Sequence, residues 1–209
     1  MYDPKMDGYS AIAAFIVAGG KSTRMGKDKA SISLAGRTLL EHALVTARGV
    51  TPEVRIVGDP EKFSPFAPTV ADVFRDCGPL GGIHAALRAS RAEWNLMLAV
   101  DVPFVSSALL QYLVSRARGC ACVVTVPRVN QRRQPLCAVY RRAFADIAEQ
   151  ALQEGRYKID ALFDPSSTQV VEEEDLEAAG FSPRMFRNVN TPEELEQASK
   201  EIQTNPANV

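Results

Sequence analysis

Short aliphatic runs, each closed by glycine, proline or aspartate, alternate along this chain with stretches whose apolar residues recur every three or four positions. A run of the first kind suits a buried strand and a stretch of the second kind an amphipathic helix, so their alternation predicts βαβ units. The fold class expected is α/β, with a mostly parallel, mixed central sheet. Strands are expected at residues 13–18, 54–58, 69–71, 95–100 and 122–126. Between them the stripes Leu39, Leu40, Ala43, Leu44, Ala47, then Leu80, Ile83, Ala86, Leu87, then Leu109, Leu110, Leu113, Val114 mark helices. Further strands are expected at 136–140 and 169–172, with helices at 143–153 and 159–163. Thr191 as N-cap, Pro192 at the first helical position and Glu194 as the capping-box partner start a last helix running to about Ile202.

At 209 residues and 46% hydrophobic content, the chain can bury one core, expected over residues 11–202, with flexible segments at 1–10 and 203–209. Lys and Arg number 24 against 25 Asp and Glu, a balance that offers neither nucleic acid nor an anionic membrane a surface to bind. The apolar runs are too short to cross a bilayer, and residues 1–10 lack the pattern of a signal peptide, so a cytoplasmic location is expected. Cys77, Cys120, Cys122 and Cys137 lack the spacing of a structural zinc site and are expected as reduced thiols. His42 and His84 lie far apart and are expected in structural or surface roles, which argues against a Ser-His-Asp hydrolase.

Chemistry concentrates in three places. The first is Val17-Ala18-Gly19-Gly20-Lys21-Ser22-Thr23-Arg24-Met25-Gly26-Lys27-Asp28-Lys29, where a strand empties into glycines followed by four cations. Glycines let backbone amides approach phosphate oxygens while the cations neutralise them. The segment matches neither the P-loop nor the dinucleotide fingerprint. The second is Gly78-Pro79-Leu80-Gly81-Gly82, which follows Asp72 and opens a helix; by itself it reads as a turn. The third is Asp101, at the tip of the apolar run Leu96 to Val100 and just before Pro103. A carboxylate aimed out of a sheet edge opposite a phosphate loop suits Mg²⁺, which takes one or two protein oxygens plus substrate phosphates. Near the end, Asn190 either caps the last helix or serves as a second magnesium ligand.

The first segment, together with Gly78-Pro79-Leu80, Asp101-Val102-Pro103-Phe104 and Asn188-Val189-Asn190-Thr191-Pro192-Glu193-Glu194-Leu195, resembles the nucleotidyltransferases and in particular the molybdenum cofactor guanylyltransferases. The resemblance runs from about Ala13 to Leu195, with the motifs in the family's order. It implies a single Rossmann-like, three-layer domain in which Val17, Ala18 and Gly19 contact the nucleotide through their backbone. Arg24 then meets the triphosphate, Lys29 stabilises the phosphoryl groups, and Gly20 tilts the base toward guanine. Lys21, Ser22 and Lys27 are lesser candidates in the same loop. The resemblance also implies that Asp72, Gly78, Pro79 and Leu80 belong to the nucleotide cleft, with Asp59 at a loosely matching position, and that Asp101 binds Mg²⁺. Arg132, Arg133, Gln134 and Pro135 fall on the acceptor side.

The activity so implied is transfer of GMP from Mg-GTP to molybdenum-loaded molybdopterin, with pyrophosphate released. Transient contact with molybdoenzyme assembly proteins is implied with it. A phosphate monoester is already an anion at neutral pH and needs no general base, which suits a chain with two isolated histidines. The competing readings are a related transferase using CTP or another phosphorylated acceptor, and a non-catalytic nucleotide sensor.

Overall fold

The structure is a computed structural model that describes residues 11–19, 29–74 and 76–204. Gly20, Lys21, Ser22, Arg24 and Lys27 lie outside the described residues, as do the expected terminal segment 1–10 and residues 205–209. In chain order the elements are β1 (Ile12–Val17), β2 (Ser33–Leu34), β3 (Arg37–Thr38), α1 (Leu39–Arg48), β4 (Val54–Val57), α2 (Pro60–Phe63), β5 (Thr69–Val70), α3 (Pro79–Ala89), β6 (Trp94–Ala99) and α4 (Ser107–Arg118). They continue as β7 (Val124–Val129), β8 (Arg132–Arg133), β9 (Cys137–Arg141), α5 (Phe144–Gln153), β10 (Thr168–Val171), α6 (Glu173–Ala178) and α7 (Pro192–Thr204).

The main sheet runs in the order β10-β7-β9-β6-β1-β4-β5, with β8 paired to β7. Every neighbouring pair on that path is parallel except those made by β9, which is antiparallel to both β6 and β7. All six residues of β1 are buried, and the period-2 alternation of a strand sends them to two different cores. Ile12, Ala14 and Ile16 pack with apolar residues of α1, α4 and α7 on one face. Ala13 and Phe15 pack with α3 and α5 on the other. The result is the three-layer arrangement.

One feature of the topology positions the site. From β1 the chain steps outward through β4 to β5, and α3 then carries it back past β1 to β6. The carboxyl ends of β4, β1 and β6 therefore flank a point where the direction of winding reverses, and a crevice opens there.

The structure corrects several details. The strand expected from residue 122 starts at Val124 and continues to Val129, then turns through Asn130 and Gln131, at φ +48° and +61°, into β8. Two successive left-handed residues make a tight hairpin turn, and Asn-Gln is not the Asn-Gly pair that announces one. The hairpin β2–β3, turning at Ala35 and Gly36 with φ +50° and +86°, escaped for the same reason. The cysteine expectation is also revised. Cys120 and Cys122 form a disulfide, their Cα atoms brought to 5.2 Å by the bend between α4 and β7. Cys77 and Cys137 are thiols, and burial pushes Cys137 up to about 12. Both histidines are buried. His42 Nε2 lies 2.8 Å from the Leu34 carbonyl oxygen, and His84 meets the Phe74 ring edge-on, centroids 5.1 Å apart. Among the described residues no helix is long and apolar enough to cross a membrane.

Candidate active site

Asp101 is separated from the end of β6 by Val100 alone, and the sheet fixes where it emerges. Val100 N donates to Val17 O at 3.3 Å and Ala99 N to Leu136 O at 2.7 Å, so the last turn of the strand is held from both sides. The Asp101 carbonyl in turn accepts from Val189 N at 2.8 Å, which pins the C-terminal segment against it. Arg187 strengthens that seam: its guanidinium grips Glu201 at 2.8 and 3.0 Å and lies 4.7 Å over the Phe104 ring.

Lys29 closes the constellation. It opens the 3-10 turn Lys29–Ser31, whose Ala30 is buried. Its Nζ lies 2.9 Å from Asp101 Oδ2 and also donates to Asn190 Oδ1. Three residues picked from distant parts of the sequence thus meet at one ammonium. Of the two roles open for Asn190, the capping one is taken by its neighbour. Thr191 Oγ1 accepts from Glu194 N at 3.2 Å, and Glu194 Oε2 accepts from Asn190 N and Thr191 N at 2.6 and 3.1 Å. Thr191 caps α7, and the Asn190 side chain turns to Lys29.

Beside this cluster, on the β4–β5 side of β1, lies a cleft of about 870 Å³. Val17, Gly19, Gly58, Asp72, Gly78 and Gly82 are among its lining residues. Asp72 Oδ1 is buried with no hydrogen-bond partner, and burial raises the Asp72 carboxyl above its ordinary value. A Cβ added at Gly19 would stand 3.8 Å from the other Asp72 oxygen, and one at Gly82 would stand 3.6 Å from Oδ1. Both glycines thus stand directly against the carboxylate. Gly78, at φ +65°, precedes α3 without any side-chain cap, and its carbonyl accepts from Gly81 N at 3.2 Å. Pro79 at the first helical position fits, since it has no amide to lose.

Several expected contacts are narrowed. Ala18 N donates to Val57 O, and Val17 O accepts from Val100 N; both groups are spent on the sheet. Gly19 is thus the first residue past the sheet ladder. The Leu80 side chain is fully buried in the core, and Leu80 is not among the residues lining the cleft. Asp59 lines the cleft but caps α2, its Oδ1 accepting from Glu61 N at 3.0 Å. Arg132, Arg133 and Gln134 stand at the same sheet edge as Asp101, because β9 runs antiparallel to β6 with Cys137 opposite Leu98. Arg133 reaches the Asp160 carbonyl at 3.4 Å and lies 5.7 Å over Phe163, while Arg132 is exposed. Sequence reasoning passed over Asp76 and Gly58 in the cleft, while Gly82 of the second loop does line it. It also passed over the Arg187–Phe104 contact, for which the sequence carries no local signal.

The donor set can be tested against a divalent cation. Asp101 Oδ2 and Asn190 Oδ1, two hard oxygens, converge on a single positive atom. Among the described residues no group of three or more His, Cys, Asp and Glu could hold a metal. A site of two oxygens without a full cage fits Mg²⁺, which keeps its remaining positions for water and phosphate.

Known proteins resemble this chain along most of its length. The model of the MobA-like NTP transferase domain matches residues 14–170. A molybdenum cofactor guanylyltransferase of Desulfosudis oleivorans is 33% identical over 92% of this chain and 96% of its own. A probable molybdenum cofactor guanylyltransferase of Pelotomaculum thermopropionicum is 34% identical over 88% and 89%. Among solved structures, molybdopterin-guanine dinucleotide biosynthesis protein A of Archaeoglobus fulgidus superposes with a TM-score of 0.81 at 26% identity, covering 92% of this chain and 99% of that one. Likeness of this extent, in sequence and in backbone alike, makes the chain a nucleotidyltransferase that belongs to the MobA-like NTP transferase family.

Proposed function

We propose that the protein transfers GMP from GTP to the terminal phosphate of molybdenum-loaded molybdopterin and releases pyrophosphate. The observation that carries the reading is the meeting of Lys29, Asp101 and Asn190 past the end of β6, with a glycine-walled cleft at the carboxyl ends of the neighbouring β1, β4 and β5. The names of the relatives supply the acceptor.

An acceptor phosphate oxygen attacks the α-phosphorus, a new O–P bond forms, and the α–β bridge oxygen leaves with its electron pair on pyrophosphate. No base is needed, because the attacking monoester is already ionised. That suits a chain whose histidines are occupied with packing. Lys29 meets the negative charge that shifts toward pyrophosphate, and Arg24 in the preceding loop meets the triphosphate. Gly19 lets the α-phosphate lie close to the backbone. Asp101 and Asn190 would hold Mg²⁺, which supplies charge neutralisation to the phosphates when bound. Asp101 is thus a ligand and not a base. Arg132 and Gln134, at the same sheet edge, stand on the acceptor side.

Guanine presents N1–H and N2–H₂ donors, and the carboxylate of Asp72, which lines the cleft, is an acceptor suited to them. A base that cannot fill such an acceptor is rejected by roughly 10⁴-fold in favourable cases. The test uses purified protein, each of the four NTPs in turn, Mg²⁺ and molybdenum-loaded molybdopterin, followed for pyrophosphate. GTP is expected to exceed CTP and ATP widely in kcat/KM. A preference for CTP overturns the base assignment, and no pyrophosphate with any NTP overturns the acceptor.

A further inference from the structure

We infer that Lys29 holds the metal position closed until the nucleotide arrives. The inference rests on the reading that Asp101 and Asn190 are the metal ligands. The same two oxygens that would take a divalent cation already take one ammonium, Asp101 Oδ2 at 2.9 Å and Asn190 Oδ1 beside it. A monovalent and a divalent cation cannot both sit between those oxygens, since like charges a few ångströms apart repel strongly. One must leave.

The structure indicates which one moves. Asp101 is anchored through its carbonyl by Val189 N, and the backbone of Asn190 is anchored by Glu194. Lys29 is tied at its base by a 3-10 turn but carries its charge on four rotatable methylenes, with its side chain 26% exposed against 15% for Asp101. The ligands stay while the ammonium swings. The triphosphate is the stronger anion, so its arrival draws the ammonium off and uncovers the oxygens. The metal consequently enters with the nucleotide and not before it, and one side chain links neutralisation of the phosphates to filling of the metal position.

Mn²⁺ titration of the full chain without nucleotide, read by the electron paramagnetic resonance signal of the unbound ion, tests the inference. Lys29→Met, checked by thermal melting and paired with Lys29→Gln should it melt early, is expected to bind Mn²⁺ at least about tenfold tighter than wild type. Two charge-assisted hydrogen bonds no longer compete for the oxygens, and their combined strength exceeds one decade in affinity. Arg132→Gln, which removes an exposed cation at the same sheet edge, is expected to leave Mn²⁺ affinity unchanged; an equal gain there would mean a general field effect and overturn the inference. If Lys29→Met binds no tighter than wild type, including no measurable binding, Lys29 is not the gate. The metal reading is judged separately: wild type with GTP should bind Mn²⁺ more tightly than GTP alone does, and Asp101→Asn with GTP should not. If Lys29→Met combined with Asp101→Asn keeps the tight site, both readings fall.

Discussion

Adding one methyl group to Gly81 would test how firmly the cleft is built. In an open helix a glycine-to-alanine change stabilises by about 1 kcal/mol. Here the new Cβ would land 2.8 Å from the Phe74 carbonyl oxygen, where ordinary contacts begin at 3.4 Å. That oxygen is backbone and cannot rotate away, and the Phe74 ring is seated against buried His84. Either α3 or the segment after β5 must therefore give by roughly 0.6 Å, the difference between those two distances. Overpacking of this kind costs about 1–3 kcal/mol, which outweighs the helical gain and leaves a net loss near 1 kcal/mol. For a chain of this size that is a fall in Tm of about 2–4 °C. Asp72 lies two residues before Phe74, so the displaced segment carries the cleft carboxylate with it, and GTP should bind several-fold more weakly. Gly119→Ala is the control: it sits at φ −79° with its new Cβ no closer than 3.5 Å to any neighbour, and its Tm should not fall. Thermal melting of both variants, with and without GTP, decides the matter. If Gly81→Ala melts at or above wild type and binds GTP equally, the tight seating of α3 against the cleft is refuted.

Asp101→Asn should lower turnover by on the order of 10²-fold or more while leaving Tm nearly unchanged; retention of more than about a tenth of the activity in a steady-state pyrophosphate assay would sink its role as ligand. Arg24→Ala should lower kcat more than it raises KM for GTP, because its charge counts most as pyrophosphate departs; unchanged kinetics would return the loop to an ordinary solvated turn. Burial raises the Asp72 carboxyl, so folding disfavours its ionised form. The group's contribution to stability is full below its ordinary value near 3.8 and is lost as pH rises through the folded value. Asp72→Asn should therefore melt above wild type at neutral pH, with the gap closing in acid, yet bind GTP more weakly; identical melting at all pH values would mean the carboxyl is not held in a desolvated place.

How much of this was legible beforehand depended on whether a residue's signal was local. β1 and the Leu96–Ala99 stretch of β6 announced themselves because they are buried on both faces and so read as unbroken apolar runs, whereas β4 carries Arg55 within it. Asp101 was legible because a carboxylate at the end of such a run has only one direction to go. Asn190 was half legible. Both it and Thr191 make good helix caps, and only Glu194, bonding both backbone amides, assigns the cap to Thr191. The loss of the Ala18 amide to Val57 depends on which strand lies beside β1, and no single stretch of sequence states that. The Cys120–Cys122 bond was missed because the spacing rules look for wider pairs and the bend that joins these two lies between elements.

Lys29 and Asn190 are 161 positions apart, and that distance has a bearing on the birth of the chain. Synthesis proceeds from the N-terminus and domains begin to fold as they emerge. The strands β1, β4, β5 and β6, with α1 and α3, precede residue 100, so the sheet around the cleft can assemble early. Asn190 arrives near the end, and it is seated only when α7 buries Ala198 and Ile202 against the core. A growing chain can thus display the cleft while lacking one of the two oxygens proposed to hold the cation. Order of synthesis becomes a safeguard, in which transfer chemistry begins only after the last helix has docked.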